Sequence, residues 1–305
     1  MLSKGEGTTI PVIHESAQAT DALRGIFITF EGGEGAGKTT HIRFLSETLR
    51  AHGREVLCLR EPGGTEVGEQ LRAVVLDPAN GGMSDEAELL IYEAARAQIV
   101  AEVIRPALER GAVVLCDRFA DSTIAYQVHG RGLDAAFVEQ VNAFACQGIS
   151  PDRTILLTTG GSARTGLSRA THRGADRLER AGEEFHTRVN EGFLDIARAH
   201  ADRVRVVQSA ARKSRTAELV FRELADLFPW MADVVDDPSY FAPLDVRRPR
   251  PQGARGGSGH RGGSNGNNRG NPGAKADRNG GGRARQGKPS QGSNGGAPRG
   301  KGQGR

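Results

Sequence analysis

A five-stranded parallel sheet with helices on both faces is the fold this sequence predicts, on three observations. Short apolar runs alternate with helical patterns along residues 25–228, and strand alternating with helix produces parallel strands joined by crossover helices. The runs are near-continuous in apolar residues, as expected of strands covered on both faces. A glycine-rich turn links the first run to the first helical pattern, at the strand end where ligands bind in such sheets.

The first strand is expected over 25–30, a β-branched and aromatic run, and the first helix over 39–49, where Ile42, Leu45 and Leu49 fall at helical spacing. Further strands are expected at 55–60, 113–117, 154–157 and 204–207, and helices at 86–110, 133–147, 183–200 and 216–228. Between the first strand and helix, Gly32 to Thr39 fit G-x-x-x-x-G-K-[ST] without a mismatch. A loop with little side-chain bulk wraps phosphates and aims backbone N–H groups at them, at the start of a helix whose dipole favours anions. We therefore read Gly32, Gly33, Glu34, Gly35, Ala36, Gly37, Lys38, Thr39 and Thr40 as the binding loop for a nucleoside triphosphate. Lys38 would reach the terminal phosphates and Thr39 would ligate Mg²⁺. The fold class is thus a P-loop NTPase-type three-layer sandwich.

Composition divides the chain. Residues 247–305 hold 14 Lys or Arg against the single acid Asp277, and 19 of the 59 are Gly, with no Val, Leu, Ile, Met, Cys or aromatic residue. Such a segment has too little apolar surface to offset chain entropy, so a disordered basic tail is expected. Its charge of +13 leaves −9 on residues 1–246, so the high pI belongs to the tail and the body is acidic. The tail's charge permits salt-sensitive contact with nucleic acid, although it lacks aromatic residues to stack on bases. No stretch is apolar enough to span a membrane, and residues 1–23 lack the apolar core of a signal peptide. We expect a soluble cytoplasmic protein, with Cys58, Cys116 and Cys146 as reduced core residues because no C-x-x-C spacing occurs. Residues 229–246 mix Trp230, Tyr240 and Phe241 with prolines, which suggests a segment lying against the domain.

Arg60-Glu61-Pro62-Gly63-Gly64-Thr65 follows the second strand, and Asp117-Arg118-Phe119-Ala120-Asp121-Ser122-Thr123-Ile124-Ala125-Tyr126-Gln127 closes and follows the third. Together with the Glu31–Thr40 loop, the helix Tyr92 to Gln98 and Gly130-Arg131-Gly132, these segments resemble the thymidylate kinases, in that order and over residues 25–228. The resemblance implies phosphorylation of dTMP to dTDP by ATP with Mg²⁺, in a homodimer, with residues 1–24 as an N-terminal extension. It implies that Arg96 and Arg118 clamp the dTMP phosphate, that Arg72 contacts the thymine and that Tyr92 stacks on the base. Thr123 and Gln127 would read the base edge and Tyr126 would pack the deoxyribose. Glu31 and Asp117 would lie near the Mg²⁺ and the acceptor phosphate, and Glu61 at the mouth of the site. Independently, arginines near strand ends are what planar recognition of phosphate requires.

Residues 164–184 resemble the family's lid, with Arg173 and then Arg169 as the arginines brought over ATP, since the loop carries Glu34 and Ala36 at its variable positions and no arginine. The chain departs from the family after the fourth strand, where Leu157-Thr158-Thr159-Gly160 stands in place of a carboxylate followed by a proline. The alternatives are another nucleoside or deoxynucleoside monophosphate kinase, and a kinase fold that carries a nucleic-acid-binding tail.

Overall fold

The computed structural model describes residues 24–159 and 176–246. Five strands are present: β1 (Ile26–Glu31), β2 (Val56–Arg60), β3 (Val113–Asp117), β4 (Arg153–Thr158) and β5 (Val204–Gln208). They form one parallel sheet in the order β2-β3-β1-β4-β5. The central β1 is buried along its whole length. Its side chains alternate between two cores, as the pleat requires. Ile26, Ile28 and Phe30 join one that includes Ile42, Leu45 and Leu49, while Phe27 joins another with Ile99, Ile104, Val114 and Cys116. Helices therefore cover both faces, and the three-layer expectation holds.

The helices are α1 (Lys38–Ala51), α2 (Glu66–Leu76), α3 (Asp85–Ile99), α4 (Arg105–Glu109), α5 (Ala120–Thr123), α6 (Ala135–Cys146), α7 (Glu183–Ala199) and α8 (Lys213–Arg222), with short turns at Met231–Val234 and Pro238–Phe241. The helix expected over 86–110 is interrupted: α3 passes through a π-helical stretch, Val100–Ile104, before α4. Pro106 has no N–H to donate and its ring crowds the carbonyl four residues back, so the ladder widens there. The last predicted helix stops at Arg222, short of 228.

One cysteine expectation fails. Cys116 and Cys146 are buried but Cys58 is exposed, because β2 is an edge strand fully buried only at Val56. Val206 on the other edge strand, β5, is exposed for the same reason. The 229–246 segment does pack on the domain. Phe44 of α1 meets Tyr240 and Phe241 at ring distances of 6.4 and 6.0 Å, and Trp230 stacks on His52 at 3.7 Å.

Candidate active site

The phosphate loop leaves β1 at Glu31 and enters α1 at Lys38, at the carboxyl end of the sheet. Gly32 has φ +124, and a Cβ there would lie 2.1 Å from the Leu157 carbonyl oxygen of β4, so only glycine lets the loop cross this strand end. Gly37 caps α1 in the left-handed region, with φ +98. Lys38 Nζ donates to the Gly32 and Gly33 carbonyls at 3.1 and 3.3 Å and lies 4.0 Å from Asp117 Oδ1. Burial and the nearby Arg118 cation lower its pKa. Thr39 Oγ1 donates to Asp117 Oδ2 at 3.2 Å. A hydroxyl beside a carboxylate is the hard-oxygen pair that suits a divalent cation at a phosphate site. Among the described residues no group of three His, Cys, Asp or Glu could cage a metal, so phosphate and water oxygens would complete the coordination.

Beyond β3 the backbone turns at Arg118, which has φ +72, outside the usual range for a residue with a side chain. Glu31 holds this turn: its Oε1 accepts from the Phe119 N–H at 2.7 Å and its Oε2 from the Ser122 hydroxyl at 2.6 Å. Both Glu31 oxygens are thus engaged with the turn, and burial pushes its carboxyl up to about 7 against the pull of Arg118. The Arg118 guanidinium donates to Glu34 at 2.5 Å and Ser122 at 3.2 Å and lies over the Tyr126 ring at 5.1 Å. Arg118 holds the Glu34 carboxyl down at about 2.

On the acceptor side Arg96 is not an open fork. It is 2% exposed and donates to Glu61 at 2.9 Å, Glu93 at 2.7 Å, Thr123 at 2.7 Å and Asn142 at 2.9 Å. Two carboxylates compensate its buried charge, and burial pushes Glu61 up to about 7 against the pull of Arg96. Thr123 donates to Glu93 at 3.0 Å, and Arg72 to the Pro62 carbonyl at 2.8 Å. Tyr92 lies one helical turn before Arg96 on α3. Tyr126 is buried, at 6.0 and 6.2 Å from the Phe185 and Phe193 rings. Gln127 donates to Glu88 at 2.8 Å. Glu88 and Asn142 lie outside the segments that carry the resemblance, and nothing local distinguishes them from other helical polar residues, while Glu93 lies within the Tyr92 to Gln98 segment without a role assigned from sequence. Arg169 and Arg173 lie outside the described residues.

The sheet order, the loop over β1 and the acid-arginine pair at the end of β3 define a P-loop phosphotransferase. Residues 30–219 match the family model described as thymidylate kinase. The chain is 48% identical over 207 residues to the thymidylate kinase of Citrifermentans bemidjiense, covering 66% of this chain and 91% of that protein. It is 51% identical over 187 residues to the thymidylate kinase of Deinococcus radiodurans, covering 61% and 89%. The solved thymidylate kinase of Ehrlichia chaffeensis superposes with a TM-score of 0.52 at 31% identity, over 67% of this chain and 98% of that one. The chain belongs to the thymidylate kinase family, and it is an enzyme that transfers phosphoryl groups.

Proposed function

We propose that the donor and acceptor halves of a dTMP kinase meet at Arg118. The chain phosphorylates dTMP to dTDP at the expense of ATP, and the contact between Arg118 and Glu34 of the phosphate loop is the observation that carries the assignment of roles. Phosphoryl transfer is governed by positioning and charge neutralisation, so no protein nucleophile is required. The N–H groups of residues 32–40 cradle the ATP phosphates. Lys38 exchanges the Gly32 and Gly33 carbonyls for terminal phosphate oxygens. Thr39 and Asp117 would hold Mg²⁺, whose charge would offset that of the phosphates.

Arg118 turns its fork from Glu34 to the acceptor phosphate, an exchange of one anion for another. Tyr92 stacks on the thymine, Tyr126 packs the deoxyribose, and Arg72, Thr123 and Gln127 line the base edge. Arg96 and Glu61 frame this pocket as a buried ion pair, and we assign Glu31 to shaping the Arg118 turn in preference to holding metal. Arg173 and Arg169 of the 164–184 lid are the proposed cations for the γ-phosphate. Residues 25–228 form the catalytic domain in this reading, with 1–24 and 247–305 as appendages. A cytoplasmic location suits an enzyme drawing on the ATP pool. Among the described residues no helix is long and apolar enough to cross a membrane.

A homodimer is the proposed assembly. Val67 and Val74 of α2, Leu90 of α3, and Phe137 and Phe144 of α6 are exposed on three helices that pack side by side, which supports an apolar contact face. The reaction is tested with γ-labelled ATP and dTMP: label recovered in dTDP supports it, and label released only as inorganic phosphate contradicts it.

A further inference from the structure

Glu88 of α3 is completely buried and gathers donors from separate parts of the chain. Its Oε1 accepts from Gln127 Nε2 at 2.8 Å and Arg131 Nε at 3.2 Å. Its Oε2 accepts from Arg131 Nη2 at 2.8 Å and from Arg177 Nη2. Arg177 also donates through Nε to the Val75 carbonyl at 2.9 Å, which fixes it against the end of α2. Two guanidinium groups on one buried carboxylate keep it ionised, and an ionised carboxylate only accepts hydrogen bonds. The Gln127 amide therefore has one permitted orientation here, with its NH₂ toward Glu88 and its oxygen away. Gln127 as a whole is only 2% exposed, so its amide is held in the packed site and does not turn freely in solvent.

We infer that Glu88 is a specificity-determining positioning residue: by orienting Gln127, it presents an amide oxygen that selects an acceptor base offering a ring N–H donor. Thymine and uracil carry that hydrogen at N3, whereas cytosine carries a lone pair there and would meet the oxygen with repulsion. The inference rests on the reading of Gln127 as a base-edge contact. An isolated Gln at this position could turn its amide to suit either base. The Glu88 carboxylate, pinned by Arg131 and Arg177, removes that freedom.

The test is kcat/KM for dTMP and dCMP in the full chain, with KM for ATP measured alongside, for wild type, Glu88→Gln and Gln127→Met. Wild type should prefer dTMP. Glu88→Gln can accept or donate toward Gln127, so the dTMP-to-dCMP ratio should fall about tenfold or more, the effect of one misdirected buried hydrogen bond. Gln127→Met should lower the ratio similarly while leaving Glu88 paired with both arginines, which answers the question if Glu88→Gln fails to fold. KM for ATP should stay within about twofold in both, a split that a general loss of structure would not give. An unchanged ratio in folded Gln127→Met, or in folded Glu88→Gln, overturns the inference. Wild type inactive on dTMP would instead overturn the kinase reading itself.

Discussion

The Glu31 carboxylate accepts the Phe119 N–H at 2.7 Å, so the residue that ends β1 and opens the phosphate loop also shapes the turn that carries Arg118. The donor and acceptor sides share this one support. Ser122 closes the second Glu31 oxygen and in turn accepts from Arg118.

Glu31 should leave a pH signature in stability. Its carboxyl is raised from 4.5 to about 7, so between these values the folded protein keeps a proton that the unfolded chain has released. The stability this contributes is fully present below pH 4.5 and lost as pH rises through 7. Glu61 acts in the same window, whereas Glu34, held at about 2, contributes stability that is lost only as pH falls from 4.5 through 2. Glu31→Gln mimics the protonated group, so urea denaturation at pH 5 and pH 8 should show its stability declining less than that of wild type. Parallel pH dependence in the two proteins would remove Glu31 from this account.

Arg118→Met should lower kcat/KM for dTMP by about 10²–10³-fold, the scale of losing one preorganised cation from a charge-stabilising site. Arg118→Lys should recover only part of this, since a point charge cannot replace a planar fork. Steady-state kinetics with both substrates varied distinguish the cases, and a fully active lysine variant would show that the fork is dispensable.

Removal of residues 247–305 should leave kcat/KM within about twofold, as expected for a terminal segment without core residues. Removal from residue 229 onward is different. It takes away buried Met231, Val234, Val235, Tyr240 and Phe241 and uncovers Phe44 and Phe221. Losses of about 3–5 kcal/mol follow from emptying such a core, and calorimetry should find the melting temperature lower by roughly 10 °C.

Phe144 is 83% exposed, so Phe144→Asp should cost the monomer little stability. If α2, α3 and α6 form the dimer face, wild type sediments as a dimer and this variant as a monomer. A monomeric wild type would dispose of the dimer.

The five strands, the phosphate loop and most helices were legible in the sequence because each is written in a local pattern: an apolar run, a glycine spacing, a helical period. What was not legible depends on partners remote along the chain. Arg96 reads as an acceptor clamp on α3, yet Glu61 and Asn142, respectively 35 and 46 positions away, take its guanidinium. Arg177 reaches Glu88 across 89 positions. Cys58 read as core because nothing in an apolar run reveals that its strand is at the sheet's edge. For Glu31 the family resemblance implies a place near the metal and the acceptor phosphate, but its two hydrogen bonds to the turn leave no trace in the sequence.

The central claim is tested most directly by ADP release from ATP and Mg²⁺ with dTMP, dUMP, UMP, CMP, AMP or thymidine as acceptor, in wild type and Lys38→Ala. Turnover led by dTMP, absent with thymidine and abolished in Lys38→Ala is the predicted result. Equal turnover with every acceptor, or activity that survives loss of Lys38, would contradict it.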